Sequence, residues 1–258
     1  MPVGVFLHRT LLCRPSLLPD ESLWSYLSRL AAANCYEPPS MLTKLCEKRL
    51  AVLGLRDNLA YPKQPETFDV LASLTRLTPR ELANASVHYF AQAPVLTGME
   101  SPRIHLSDDA PFQLLSTHIR SRYLLRADCA QFCPDCLREA AYHRRAWMLT
   151  DVLACVKHRR LLLNRCQKCH SLVQVQDIVR CQCSECGADF TNAAMDRRLE
   201  PFGLFAQRAI RAWWGLDAPA ADSAAWTLPE QPSYTLHHLF RSLVDSIGPR
   251  VLQPNQFS

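Results

Sequence analysis

Glycine is scarce in this chain, at 7 residues in 258. Loops that cradle phosphates need several glycines at fixed offsets, and neither Gly-x-Gly-x-x-Gly nor Gly-x-x-x-x-Gly-Lys occurs. Gly-x-Ser-x-Gly and His-Glu-x-x-His are also absent, which excludes the usual serine-hydrolase elbow and the zinc-protease helix. The carboxylates are scattered, without the convergent acids a two-metal nuclease needs. No active site is expected. No apolar run reaches the roughly 18 residues of a membrane-crossing helix. His8 and Arg9 interrupt the first apolar stretch and no small-residue cleavage site follows, so no secretory signal is expected.

Cysteine, by contrast, is abundant, and 7 of the 12 residues fall into a pattern. Cys133-Pro134-Asp135-Cys136 is answered by Cys155-Val156-Lys157-His158, and Cys166-Gln167-Lys168-Cys169 by Cys183-Ser184-Glu185-Cys186. A doublet with two intervening residues puts two ligands on one turn, and a second doublet about 12–20 residues on closes a tetrahedral site. The spacing predicts two structural Zn²⁺ ions, one held by three cysteines and a histidine, the other by four cysteines. With four protein ligands each, neither keeps the open position of a catalytic zinc. Reduced core cysteines would not explain why eight ligands fall into four doublets. Cys129 and Cys181 flank the pattern and are alternative ligands, as is His170. Cys13, Cys35 and Cys46 lie in apolar or helical surroundings and read as small core residues. Metal-spaced cysteines point to a reducing, cytoplasmic setting.

The formal charge of +5 invites a nucleic-acid reading. Thiolates reduce it: three against one Zn²⁺ leave −1, four leave −2, and the metal-loaded chain is nearer +2. Only local clusters of basic residues then argue for DNA. Two stand out, His143-Arg144-Arg145 beside Trp147, and Lys157, Arg159 and Arg160 around His158. Nucleic-acid phosphate and an acidic protein are equal candidates as their partner.

The pattern predicts a mainly α fold with small zinc-ribbon elements: an N-terminal helix-turn-helix domain over 1–111, a tandem zinc-finger module over 112–195 and C-terminal helices over 196–258. Helices are expected from Asp20 (stripe Leu23, Leu27, Leu30, Ala31), from Ser40 to about Leu50, from Phe68 to Leu77, and from Pro79 to about Val87. Thr78 and Glu81 form a capping box for the last of these. The abrupt junction between those two suggests a helix-turn-helix, whose outer face offers only Arg80 and Asn84 to DNA. Residues 94–111 read as a linker. Further helices are expected over 112–126, over Phe202–Trp214 with a stripe of Phe205, Ala209, Ile210 and Trp213, and over 234–247.

Two blocks together resemble the TniQ family: Leu18-Pro19-Asp20-Glu21-Ser22-Leu23-Trp24-Ser25-Tyr26-Leu27-Ser28-Arg29-Leu30-Ala31, and Phe132-Cys133-Pro134-Asp135-Cys136 followed by Tyr142, Trp147, Cys155, His158, Leu161-Leu162, Cys166 and Cys169. The resemblance implies a non-enzymatic targeting adaptor of DNA transposition. Its implied partners are an AAA+ ATPase of the TnsC or TniB kind, target DNA, and in CRISPR-associated transposons an effector complex with its guide RNA. Some such adaptors are homodimers. Larger relatives of the TnsD kind read DNA directly through extra C-terminal domains, and this shorter chain favours the adaptor role.

Overall fold

Asp20 adopts a left-handed conformation (φ 57°), which turns the lead-in sharply before the first helix. Ser22 then stays extended and its hydroxyl accepts from the Ser25 amide at 3.3 Å, capping α1 (Leu23–Ala33). The helix therefore begins three residues later than the expected Asp20. In this computed structural model residues 10–36, 40–59, 61–93, 103–105, 111–113, 129–193 and 199–217 are described. The helix expected over 234–247 lies outside them.

The N-terminal helices are α1, α2 (Ser40–Val52), α3 (Pro65–Thr75) and α4 (Pro79–Ala85). Arg76 ends α3 in the left-handed region at φ 64°, and Thr78 reopens the helix two residues later. The Thr78 hydroxyl accepts from the Glu81 amide at 3.1 Å while Glu81 accepts from the Thr78 amide at 2.7 Å, the reciprocal box expected there. α4 stops at Ala85, short of Val87, because Ser86 is extended and its hydroxyl caps the 3-10 turn Val87–Gln92 instead. Leu23, Tyr26, Leu27 and Leu30 of α1 share one core with Leu42 and Leu50 of α2, Phe68, Leu71 and Leu74 of α3, and Leu82 of α4. Of the three cysteines expected in the core only Cys46 joins it, Cys13 and Cys35 being exposed.

Residues expected as linker and helix supply instead a short ribbon, β1 (Arg103–His105) antiparallel to β2 (Pro111–Gln113). Phe112 and Gln113 are therefore strand, since Pro111 and the ladder fix an extended backbone there. The rest of the helix expected over 112–126 lies outside the described residues.

A second core, built on Phe132, Trp147, Ile178 and Phe190, is surrounded by α5 (Pro134–Glu139), the hairpin of β3 (Ala154–Cys155) and β4 (Arg160–Leu161), and α6 (Val175–Arg180). Phe132 and Phe190 stack with centroids 4.7 Å apart. A third core joins Val87 and Phe90 of the 3-10 turn to Leu149, Val152 and, from α7 (Pro201–Trp213), Ile210, with Trp214 beyond it. The buried face of α7 is Leu204, Gln207, Ile210 and Trp214, whereas Phe205 is 49% exposed. Of the expected stripe Ile210 is buried, while Phe205 is exposed and Ala209 and Trp213 are half-buried. Leu204 and Gln207 complete the inward face, the Gln207 side-chain oxygen accepting from the amides of Leu153 (2.9 Å) and Ala154 (3.2 Å). Among the described residues no helix is long and apolar enough to cross a membrane.

Candidate metal centres

The first centre gathers Cys133, Cys136, Cys155 and His158. Cys133 stands extended before α5, Pro134 takes the first helical position, and Cys136 follows in the first turn. The other pair comes from the β3–β4 hairpin, where Cys155 pairs with Arg160 and Arg159 makes the reversal at φ 54°. Reciprocal backbone bonds of 2.8 Å between Phe132 and Leu163 hold α5's approach beside the hairpin.

Spacing tests whether a tetrahedral ion fits. Metal–sulfur and metal–nitrogen bonds of about 2.3 and 2.0–2.1 Å at tetrahedral angles place sulfurs about 3.8 Å apart and sulfur about 3.6 Å from nitrogen. Here Cys136 Sγ lies 3.6 Å from Cys155 Sγ. The Nδ1 of His158 lies 3.5, 3.3 and 3.4 Å from the sulfurs of Cys133, Cys136 and Cys155. The set fits. Thiol hydrogen bonds from Cys133, then Cys136, hold the Cys155 pKa far below its ordinary value. The same contacts, with Cys133 and then Cys155, together with burial, push Cys136 up.

In the second centre one turn is built twice. The Cys166 amide donates to Ser171 and its carbonyl accepts from His170, both at 2.9 Å; the Cys183 amide donates to Ala188 and its carbonyl accepts from Gly187, again both at 2.9 Å. Each turn closes on a left-handed residue, His170 at φ 60° and Gly187 at φ 70°. An added Cβ at Gly187 would meet nothing nearer than 3.6 Å, so the backbone conformation rather than space favours glycine there. Cys166 and Cys186 sulfurs are 3.6 Å apart, as are those of Cys169 and Cys183, again tetrahedral spacing. The Ser171 hydroxyl lies 3.1 Å from Cys169 Sγ and 3.4 Å from Cys183 Sγ, placed to donate to thiolate. The first centre is the more buried of the two; Cys169 is exposed.

Neither flanking cysteine belongs to a cluster. Cys181 ends α6 in a left-handed conformation (φ 53°), and the Cys129 sulfur accepts a long 3.9 Å contact from Asn164. His170 is likewise outside, its role being to reverse the turn.

The basic run of residues 143–145 lies in a seam against α1. The Ser22 amide donates to the His143 carbonyl (2.9 Å), the His143 amide to the Ser25 hydroxyl (3.0 Å), and the Arg145 amide to the Asp20 carbonyl (2.6 Å). The Tyr142 hydroxyl donates to the Pro19 carbonyl at 3.0 Å. Glu21 accepts from the Arg29 guanidinium at 2.9 Å and from the Ser25 hydroxyl at 2.9 Å. The His143 ring is buried, with Nδ1 2.9 Å from the Ser22 hydroxyl, and burial, then Arg144, pushes its pKa down to about 3. No short motif forecast this seam; its signal was the co-occurrence of the two blocks.

These contacts place part of the expected binding surface inside the fold. Trp147 is only 3% exposed and belongs to the second core. Arg145 stacks 3.6 Å over Tyr89 and donates to the Asn84 carbonyl at 2.5 Å, so hydrogen bonding turns it inward. Arg144 lies 4.5 Å from the Tyr142 ring centre and 4.9 Å from that of Trp147. Lys157 pairs with Glu139 at 2.5 Å, and Arg160 with Asp135 at 3.3 Å. Arg159 is exposed at the hairpin reversal, and Arg80 is exposed on α4. The structure thus brings 144, 145 and 147 together at the seam and 157, 159 and 160 together at the first centre, with Arg80 elsewhere on the N-terminal helices.

A mainly helical protein braced by two four-ligand cysteine and histidine clusters, each able to hold a metal ion, is the class that fold and centres define. Compared with known families, the chain matches TniQ over residues 12–162, more than half its length. It belongs to the TniQ family, and membership makes it a transposition-associated target-selection protein, from a family of non-catalytic accessory proteins. The matched span holds both the α1 block and the whole first centre. No curated protein matched the chain.

Proposed function

We propose that the chain is a non-enzymatic adaptor that joins a target-recognition complex to an AAA+ transposition regulator of the TnsC or TniB kind. The observation that carries this reading is the makeup of α4. A helix that reads base edges presents several amide and basic side chains on one outer face. α4 has only seven residues, four of them buried (Pro79, Leu82, Ala83, Ala85). Its exposed Arg80 and Glu81 are opposite in sign, and the Asn84 carbonyl already holds Arg145. The α3–α4 pair, helix-turn-helix in order, acts in this reading as scaffold.

Both centres hold structural zinc in the same proposal. Thiolate and imidazole donors at tetrahedral spacing suit Zn²⁺, and four protein ligands fill each site. Cys133, Cys136, Cys155 and His158 would hold one ion, and Cys166, Cys169, Cys183 and Cys186 the other. The N-terminal helices meet one partner, and the metal-bearing part with the C-terminal region meets the other, an RNA-guided effector on the recognition side.

The test is a pull-down with a TnsC- or TniB-like ATPase and with an effector complex, beside a duplex titration at two salt concentrations. Co-purification with weak, salt-sensitive DNA binding supports the adaptor. Tight binding to one duplex, abolished by Arg80→Ala or Asn84→Ala and without a protein partner, would overturn it in favour of direct site selection.

A further inference from the structure

We propose that Glu139 is a positioning residue of the first centre, fixing through Nε2 the tautomer and orientation in which His158 offers Nδ1 to a metal ion. The inference rests on the zinc reading of that cluster. A neutral imidazole carries one proton, and only the tautomer protonated at Nε2 leaves the Nδ1 lone pair free. His158 Nδ1 faces three sulfurs at 3.3–3.5 Å, while Nε2 lies 3.2 Å from Glu139 Oε1. A carboxylate accepts only, so this contact selects the Nε2–H form.

Where Glu139 stands in the chain strengthens the argument. It is the last residue of α5, one turn beyond Cys136, so a single six-residue helix carries a ligand in its first turn and the carboxylate at its end. Arg138 ties the same helix to the Phe190–Asn192 turn by donating to the Thr191 carbonyl at 3.0 Å. Lys157, beside His158 in sequence, holds the other Glu139 oxygen at 2.5 Å. The carboxylate is thus aimed from both sides. The all-cysteine centre has no imidazole to orient, which supplies an internal control.

Cobalt(II) titration against a competing chelator tests this, because visible bands separate a three-sulfur, one-nitrogen set from a four-sulfur set. Partners that orient metal-bound histidines are worth roughly 10- to 100-fold in affinity. Glu139 is 41% exposed, so roughly tenfold weakening is expected at the first centre in Glu139→Ala, with the second unchanged. Glu139→Gln, whose amide oxygen still accepts from Nε2–H, should lose less. First-centre affinity within about twofold of wild type, or equal weakening of both centres, would overturn the inference while leaving the zinc reading standing. Wild-type protein that shows no three-sulfur, one-nitrogen cobalt spectrum would refute the zinc reading of the first centre and this inference together.

Discussion

Arg145 is the strongest single test of how the helical and metal-bearing parts are joined. Its side chain reaches three elements at once: the lead-in through Asp20 (3.4 Å), the end of α4 through the Asn84 carbonyl (2.5 Å), and the 3-10 turn through the Tyr89 ring (3.6 Å). A charged donor on a carbonyl is worth about 1.5–3 kcal/mol. A largely desolvated cation over an aromatic face adds roughly 1–2 kcal/mol. The Asp20 pair counts for little, about 0.5 kcal/mol, because burial raises the Asp20 pKa and lowers that of Arg145, so both charges are penalised. Since the contacts are shared, Arg145→Ala should destabilise by about 3 kcal/mol rather than the full total. For a chain of this size that is roughly 6–12 °C in melting temperature. Arg145→Lys keeps the charge but not the planar fork, and should recover less than half of the loss. Urea melts followed by tryptophan fluorescence measure both, with metal content assayed in parallel. Arg145 touches no ligand, so metal content should stay as in wild type. An Arg145→Ala variant within about 1 kcal/mol of wild type would refute the clamp.

Other expectations follow from the same contacts. His143 titrates at about 3 in the fold against an ordinary 6.5, so below pH 6.5 the unfolded chain binds the extra proton. Stability should therefore fall by about 2 kcal/mol from pH 7 to pH 5 through this residue alone. Urea melts of His143→Gln should lack that component, and equal pH slopes for both proteins would contradict it. Removing metal with a strong chelator should abolish near-ultraviolet circular dichroism from the Trp147 core, because metal binding and folding of such small modules are coupled. Cys133→Ala or Cys166→Ala should each lose one ion and lower the melting temperature; unchanged zinc content would refute the ligand assignment. On α7, Ile210→Ala should cost about 2–4 kcal/mol, since Ile210 is 2% exposed, whereas Phe205→Ala, at a side chain 49% exposed, should cost less than half as much. Reversed costs in thermal melts would mean that the helix packs by its other face.

The elements legible in the sequence were those whose signal is local. Thr78, Pro79 and Glu81 specify a helix start through their own side chains, so the box at α4 appears as expected. The four doublets bring ligands together over a few residues, and two clusters result. Long-range contacts set the rest. Nothing near His143-Arg144-Arg145 says that Ser22, Ser25 and Asp20 wait for it more than 100 residues upstream, so a run that looks like a solvated basic face is half-buried seam. Gln207 is the same lesson in small: a polar residue reads as outward, yet two amides of the Leu153–Ala154 segment turn it in, and the inward face of α7 keeps only Ile210 of the expected stripe. The Phe112 strand depends on Arg103–His105 as partner, which periodicity over 112–126 cannot reveal.

The seam also explains why the two family-resembling blocks carry meaning only together. Residues 142–145 lie between α5 and the β3–β4 hairpin, the two elements that meet at the first centre. An ion that held Cys136 and Cys155 together would therefore fix the segment between them. That segment supplies the carbonyl for the Ser22 amide, the donor for the Ser25 hydroxyl and the amide for the Asp20 carbonyl. If it moved away, those buried groups would be stranded at about 1–3 kcal/mol each. Glu21 would keep Arg29 but lose its cover. α6, between the second pair of doublets, lies alongside α1 as well, with Ile178 fully buried beneath it. Order in the N-terminal helices would thus be coupled to a metal ion bound more than 100 residues away in sequence, although none of the described N-terminal residues joins either cluster. In the adaptor reading, this coupling would hold at a fixed angle the two faces offered to the two partners.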